Sequence, residues 1–316
     1  MESFIMNKNW QIGIASHQGT KKDKNEDSFF HHVSSDNHGN EIALFAVADG
    51  MGGYQLGDAA SQIAISSIEK WWEKRRQKIV KRKNPLQQIL TEGEKIIQQI
   101  NKTIKATSNY TGKKMGTTLS LLVLNKGEYA VIHIGDSRVY RMKGWNYGLK
   151  QYFDQKVPHL VDSLNQIDEQ QTEILESEPE LMKLTEDHSW VGKQVENGQM
   201  SEEEARNHPK RNVLTQCLGI DSKVQPYISK GTYQSADLFL LCSDGFYTLF
   251  SDEEIKNMLI NLEKEYSSLQ AISDYLINFS NFSDAFDNVT LMLIRNRVSA
   301  TQVKSKRTLL PFFKGI

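Results

Sequence analysis

The hydrophobic and polar positions along this chain repeat with two different periods, which predicts an order of strands and helices. Alternating apolar residues indicate strands at 10–16 and 28–33, and an unbroken apolar run indicates a buried strand at 45–48. Beyond Gly57 the apolar residues recur at helical spacing, and Pro85, a residue favoured in the first turn of a helix, begins a second such stretch. Two long helices in succession predict an antiparallel pair lying on a sheet.

The second half of the chain predicts further strands and helices. A strand through Leu124, a strand that ends at Asp136 and a strand at 139–142 are separated by short turns, which predicts a meander. Strands then bracket Asp244, helices follow Ser251, and a last strand follows Asp287. The segment 201–204 has the Ser-x-x-Glu spacing of a capping box and therefore predicts the start of a helix.

Acidic residues flank five of the apolar runs. Asp49 ends the buried strand and is followed by glycines at positions 50, 52 and 53, where bare backbone can approach a ligand closely. One acid and one glycine after a strand are most often only a turn, so the interpretation depends on the recurrence of acids. A packed sheet could gather them at one edge, and a divalent cation is the simplest neutraliser of their repulsion. The acids are Glu26, Asp27, Asp49, Asp136, Asp244 and Asp287.

Many carboxylates and few histidine or cysteine candidates favour Mg²⁺ or Mn²⁺ over zinc, because these hard cations prefer oxygen ligands. Such ions make a water available for attack and neutralise charge on a transferring phosphoryl group, so the chemistry needs no protein nucleophile. The sequence also lacks the Gly-x-Ser-x-Gly motif of a serine hydrolase. His188 and His208 are predicted to have structural or orienting roles.

A set of motifs in this order resembles the metal-dependent protein phosphatase 2C family, in its bacterial branch. The resemblance runs from about Ile12 to Ile294 and omits residues 144–182. It implies an α+β fold, a four-layer α-β-β-α sandwich with two central antiparallel sheets. The motifs are Asn25-Glu26-Asp27, Asp49-Gly50-Met51-Gly52-Gly53, Met115-Gly116-Thr117-Thr118, Gly135-Asp136-Ser137-Arg138, Leu184-Thr185-x-Asp187-His188-Ser189, His208-Pro209-x-Arg211-Asn212, Ser243-Asp244-Gly245 and Asp287-Asn288.

The resemblance implies a metal-binding role for several of these residues. Asp49 would bridge two Mn²⁺ or Mg²⁺ ions, and the carbonyl group of Gly50 would hold the first ion. Asp244 and Asp287 would hold the second ion, and Asp136 would serve a weaker third ion.

The resemblance also implies residues that act around the ions. Glu26 and Asp27 would orient waters, and residues 187–212 would form a flap that covers the site and influences substrate choice. Asn212 would be a contact for the third ion. Met51 stands where eukaryotic members commonly carry histidine, which leaves the general acid unassigned, with a water on a metal as the default.

Lys22 departs from the family pattern. It lies three residues after Gly19, where the family usually has an arginine that clamps the phosphate. Lysine keeps the charge but cannot form the two parallel hydrogen bonds of a guanidinium, so we expect weaker and less selective phosphate binding. The alternative is that Lys22 points into solvent.

The expected organisation is a catalytic domain at 1–296 with an acidic insertion at 144–182, followed by a basic and flexible tail at 297–316. The expected activity is that of a phosphoserine and phosphothreonine protein phosphatase. One alternative is a catalytically silent module of the same fold that binds phosphoproteins. Another is a nuclease, which the balance of 38 basic and 39 acidic residues disfavours, and the same balance predicts no nucleic-acid partner.

Cys217 and Cys242 lie in apolar surroundings and are predicted to be buried thiols in a reducing compartment. The chain has no signal-peptide pattern and no apolar run long enough to span a bilayer, which predicts a cytoplasmic protein. The expected partners are phosphoproteins and an opposing serine/threonine kinase, and the expected state is a monomer.

Overall fold

Two five-stranded antiparallel sheets form the centre of the chain in the computed structural model, which describes residues 9–51, 56–143, 179–283 and 285–296. The first sheet has the order β1-β10-β9-β6-β7, and the second has the order β2-β3-β4-β5-β8. The strands are β1 Trp10–His17, β2 Asp27–Ser35, β3 Glu41–Asp49, β4 Leu119–Asn125, β5 Glu128–Ile134, β6 Arg138–Lys143, β7 Glu180–Lys183, β8 Tyr227–Thr232, β9 Leu238–Cys242 and β10 Val289–Asn296. The helices are α1 Gly57–Ile79, α2 Pro85–Thr111, α3 Trp190–Glu196, α4 Glu202–Asn207, α5 Asp244–Tyr247, α6 Asp252–Glu265 and α7 Leu269–Phe282.

Strand β3 shows why its sequence is apolar at nearly every position. Phe45 and Val47 face the core between the two sheets, whereas Leu44 and Ala46 face the core beneath α1 and α2. Because successive side chains of a strand point to opposite faces, a strand covered on both faces reads as a continuous hydrophobic run. The buried strand predicted from this run is therefore present at the centre of the molecule.

Helices cover the outer face of each sheet, and the predicted four-layer α-β-β-α sandwich is confirmed. The helices α1 and α2 pack on the second sheet, and α6 and α7 pack on the first. Helix α2 lies close to the sheet at Gly93, where an added Cβ would stand 2.2 Å from Cδ1 of Ile132. Both helix starts with a Ser-x-x-Glu pattern, at Ser201 and Ser251, form capping boxes.

The expected meander of β4, β5 and β6 is wrong. Strand β6 does not continue the meander β4-β5 but pairs with β9 and β7 in the other sheet. The chain crosses between sheets after Gly135, whose φ of 106° favours glycine and where an added Cβ would lie 2.5 Å from Thr118 Cγ2. Strand β1 pairs with β10, so only β2 and β3 form the first hairpin.

The predicted acidic insertion at 144–182 ends inside the first sheet. Its last residues belong to β7, where Glu180 pairs with Lys143 at the end of β6 that is remote from Asp136. Most of the insertion, the glycines at 52 and 53 and the tail at 297–316 lie outside the described residues. Within the described ranges no helix combines the length and apolarity needed to cross a bilayer.

Candidate metal centre

The acids predicted to lie together are brought to one end of the sandwich, because each stands where a central strand begins or ends. Asp49 ends β3 and is the cross-strand partner of Asp27, the first residue of β2. Asp136 follows β5, Asp244 follows β9, and Asp287 precedes β10. The carboxyl group of Asp49 interacts electrostatically with those of the other four. Residues far apart in sequence therefore form one cluster of acids.

Burial and mutual repulsion disfavour the charged state of this cluster. Burial, followed by the charges of Asp27 and Asp244, raises the pKa of Asp49 well above its ordinary value. Burial is also the main cause that raises the pKa of Asp27 to about 7 and that of Asp244 to about 6. Because burial and mutual repulsion both oppose ionisation, a bound cation that neutralises these carboxylates would stabilise the cluster.

The residues fit a hard divalent cation. Oδ2 of Asp27 accepts a hydrogen bond of 2.8 Å from Ser243 Oγ, but its buried Oδ1 has no hydrogen-bond partner. At Gly50 an added Cβ would lie 2.2 Å from the carbonyl oxygen of Gly57, so only glycine fits there. Within the described residues no three His, Cys, Asp or Glu side chains already surround a common point. The donors are nonetheless all oxygens, which suits Mg²⁺ or Mn²⁺.

Lys22 contacts the acid cluster. Its Nζ lies 2.8 Å from Oδ1 of Asp287, and its side chain is one-third exposed. Burial works against the charged ammonium group, but the hydrogen bond and charge of Asp287 outweigh it and raise the pKa of Lys22. The alternative that Lys22 points into solvent is therefore wrong, and a fixed cation stands beside the carboxylates.

Glu26 lies at the N-terminus of α1, where an added Cβ at Gly57 would stand 2.7 Å from Oε1 of Glu26. Burial raises the pKa of Glu26, whereas the charge of Lys22 lowers it. The carboxyl group of Glu26 thus lies between Lys22 and the turn that carries Gly50.

The flap segment borders the acid cluster across a cavity of about 400 Å³. Asp136 and Asp244 line its inner wall, and Asn212 and Arg211 line it from the flap side. The structure therefore places Asn212 on the same cavity as Asp136.

Comparison with known proteins agrees with this arrangement. A family model described as protein phosphatase 2C matches residues 15–279. The chain belongs to this family. It is 30% identical over 257 residues to the serine/threonine phosphatase stp of Listeria welshimeri, which covers 81% of this chain and 85% of that protein. This phosphatase 2C chain is accordingly an enzyme of the hydrolase class.

Solved structures share the fold of this phosphatase 2C chain. The serine/threonine phosphatase of S. agalactiae has a TM-score of 0.67 at 24% identity, covering 91% of this chain and 99% of that chain. The catalytic domain of the serine/threonine protein phosphatase PstP in complex with two manganese ions has a TM-score of 0.64 at 23% identity, covering 91% and 98%.

Contacts that the sequence analysis did not assign hold the flap of this phosphatase 2C chain in place. Arg138 forms a buried bidentate pair with Asp187, the first residue of the flap segment, at 2.6 to 3.2 Å. The backbone nitrogen of His188 donates to the carbonyl oxygen of Gly135 at 2.7 Å, and its ring stacks on that of His133. His208 stacks on Trp190. Both flap histidines thus make structural contacts.

No role was assigned to Arg138, Ser243 or Asn288 from the sequence, although all three belong to the motifs. Each lies within two residues of a predicted metal ligand, but its partners lie elsewhere in the chain. Local spacing alone could not indicate them.

Proposed function

We propose that this chain is a Mg²⁺- or Mn²⁺-dependent phosphatase that hydrolyses phosphoserine and phosphothreonine in proteins. The observation that carries the proposal is the convergence of Asp49, Asp136, Asp244 and Asp287 beside the fixed cation of Lys22. The serine/threonine phosphatases named among the relatives support the same substrate class. The substrates would be products of an opposing kinase, and two buried, unpaired cysteines support a cytoplasmic location.

In this proposal the carboxylates of Asp49, Asp244 and Asp287 and the carbonyl group of Gly50 would hold two ions. The two manganese ions in the PstP complex support that number. Asp136 and Asn212, which line the same cavity, would contact a weaker third ion. When bound, such ions lower the pKa of water and neutralise charge on a phosphoryl group.

The residues around the ions orient the reactants. The free Oδ1 of Asp27 accepts a hydrogen bond from the attacking water and so aims it at phosphorus. Glu26 orients a second water from the N-terminus of α1. The ammonium group of Lys22 donates to a phosphoryl oxygen and offsets its charge. Because Met51 has no proton to donate, we propose that water protonates the leaving serine or threonine oxygen.

Removal of metal tests the proposed activity. We expect the chain to release phosphate from a phosphothreonine peptide in the presence of Mn²⁺ and to lose this activity after chelation, with recovery when Mn²⁺ is restored. p-Nitrophenyl phosphate provides a substrate without a peptide. Absence of metal-dependent turnover on both substrates would favour the silent binding module instead.

The substitution Lys22→Arg tests the assignment of the phosphate-binding cation. A guanidinium group adds a second parallel hydrogen bond to the phosphoryl group, so we expect KM for the phosphopeptide to fall about fivefold, which corresponds to about 1 kcal/mol. Lys24→Arg is a matched control, because the Lys24 side chain is 73% exposed and its Nζ lies 3.8 Å from Oδ2 of Asp58. If both variants keep the original KM, Lys22 does not bind the phosphate.

A further inference from the structure

The loop between β1 and β2 carries two residues of the proposed site but contains neither helix nor strand. The loop comprises residues 18–26. Within it, Lys22 lies beside Asp287 and Glu26 lies at the N-terminus of α1. An irregular segment that positions a reactive group needs tethers, because its backbone is not held by a regular ladder of hydrogen bonds.

The side chain of Asn288 supplies tethers at both ends of this loop. Its Nδ2 donates to the carbonyl oxygens of Gln18 at 2.9 Å and Lys24 at 2.8 Å. Its Oδ1 accepts a hydrogen bond of 2.9 Å from the backbone nitrogen of Glu26. Asn288 is 2% exposed, so these bonds are shielded from water. One amide group therefore joins three points of a single loop.

Asn288 also links this loop to Asp287. The backbone nitrogen of Asn288 donates to Oδ1 of Asp287 at 2.8 Å, and the same oxygen accepts from Nζ of Lys22 at 2.8 Å. The carboxyl group of Asp287 is thus held by two donors, the ammonium group of Lys22 and the backbone N–H of Asn288.

The chemistry of the site requires an amide at position 288. Two carbonyl oxygens need donors and one backbone N–H needs an acceptor, and among uncharged side chains only asparagine and glutamine carry both N–H donors and a carbonyl acceptor. An aspartate would place a negative charge against two carbonyl oxygens, and a serine could satisfy at most part of the set.

We propose that Asn288 is a positioning residue that holds the 18–26 loop so that the ammonium group of Lys22 meets the phosphoryl group of the substrate. This inference rests on the proposed function for its kinetic consequence. Its structural consequence, the ordering of the loop, is independent of the activity.

Inhibition by inorganic phosphate tests the kinetic consequence. We expect Asn288→Ala to raise the inhibition constant for phosphate about tenfold, which is the loss of one charge-assisted hydrogen bond. Lys22→Ala should have a similar effect, and the double variant should be no worse than either single variant, because both remove the same contact. Additive effects of the two substitutions would overturn the proposal. Asn288→Ser replaces Asn288→Ala throughout if the alanine variant does not fold.

Hydrogen exchange of the metal-free chain tests the loop directly, without any activity. We expect faster exchange across residues 18–26 in the Asn288 variant, most of all at the backbone amide of Glu26. Unchanged exchange there would overturn the proposal. Inactivity of the unmodified chain, by contrast, would contradict only the proposed function.

Asn125→Ala is the matched control for a buried amide. Asn125 is 3% exposed and its Nδ2 donates to the carbonyl oxygen of Glu41 at 2.8 Å, at the opposite end of the second sheet. It should lower thermal stability and leave the inhibition constant for phosphate unchanged. If Asn125→Ala weakens phosphate binding as much as Asn288→Ala does, the effect is one of general stability and the positioning role is refuted.

Discussion

Replacement of Asp49 by asparagine is expected to lower kcat/KM for a phosphothreonine peptide by about three orders of magnitude, equivalent to about 4 kcal/mol. Asp49 interacts with every other acid of the cluster, and in the proposed site it is the ligand shared by two ions. Asparagine keeps the shape of the side chain but removes its charge, so the loss would be electrostatic. Initial rates with saturating Mn²⁺ measure this effect.

Although Asp49→Asn should lower activity, it is not expected to lower the stability of the metal-free chain. Burial and four neighbouring carboxyl groups disfavour a charge on Asp49, so its removal should leave the melting temperature equal or higher. The rise in melting temperature that Mn²⁺ gives the unmodified chain should be lost, because a ligand stabilises only the state that binds it.

Asp36→Asn is the control for this pair of measurements. Asp36 lies in the turn between β2 and β3, at the far end of the sheet, where it accepts hydrogen bonds from within its own turn. It should keep both the activity and the response to Mn²⁺. An Asp49→Asn variant that retains metal-dependent turnover would refute the assignment of Asp49.

The elements with strong local patterns were predictable from the sequence. Strand β3 and helices α1 and α2 have long apolar runs or helical spacing, and the serine caps at 201 and 251 mark helix starts. The sheet to which β6 belongs was not predictable in the same way. A short turn after β5 has the local features of a hairpin, but β6 pairs with β9 and β7 in the other sheet, and the close approach of Gly135 to Thr118 occurs where the chain crosses.

For the candidate site, residue types were predictable and contacts were not. The acids were identified because their charge is costly at strand ends unless it is neutralised. The partner of Lys22 is Asp287, at the other end of the chain, and the amide of Asn288 acts on a loop just as distant in sequence. Such pairings depend on the fold as a whole, since neither member has a local signal for the other.

The ion pair between Arg138 and Asp187 is a further contact of this kind, and its loss should have a large effect on stability. The two side chains are 10% and 7% exposed, and the guanidinium group also donates to the hydroxyl of Tyr140 at 2.9 Å and lies 3.8 Å from the ring centre of Tyr247. Removal of Arg138 leaves the buried carboxylate of Asp187 with a single ion pair among the described residues, to Lys183 at 3.5 Å. We therefore expect Arg138→Met to lower the free energy of unfolding by about 3 kcal/mol.

A double-mutant cycle measures the interaction energy between Arg138 and Asp187 separately from their contacts with other residues. Asp187→Asn alone should also destabilise the chain, and Arg138→Met with Asp187→Asn should cost clearly less than the sum of the two, because each single substitution already removes the interaction between positions 138 and 187. Arg75→Met is a control on the more exposed pair of Arg75 and Glu92, where solvent screens the charges and the expected loss is clearly smaller. Strict additivity at positions 138 and 187 would contradict the role of the pair.

The pH dependence of the free energy of unfolding provides an independent test of the pair of Arg138 and Asp187. Burial alone would raise the pKa of Asp187, but the charges of Arg138 and Lys183 outweigh it, so its pKa lies below the ordinary value of 3.8. A carboxyl group with a lowered pKa stabilises the folded chain above its unfolded pKa, and this contribution is lost as the pH falls below that value. The difference in unfolding free energy between the unmodified chain and Arg138→Met should thus be complete at pH 7 and shrink below about pH 4. Because Asp187 begins the flap, the flap should loosen over that acidic range even in the unmodified chain.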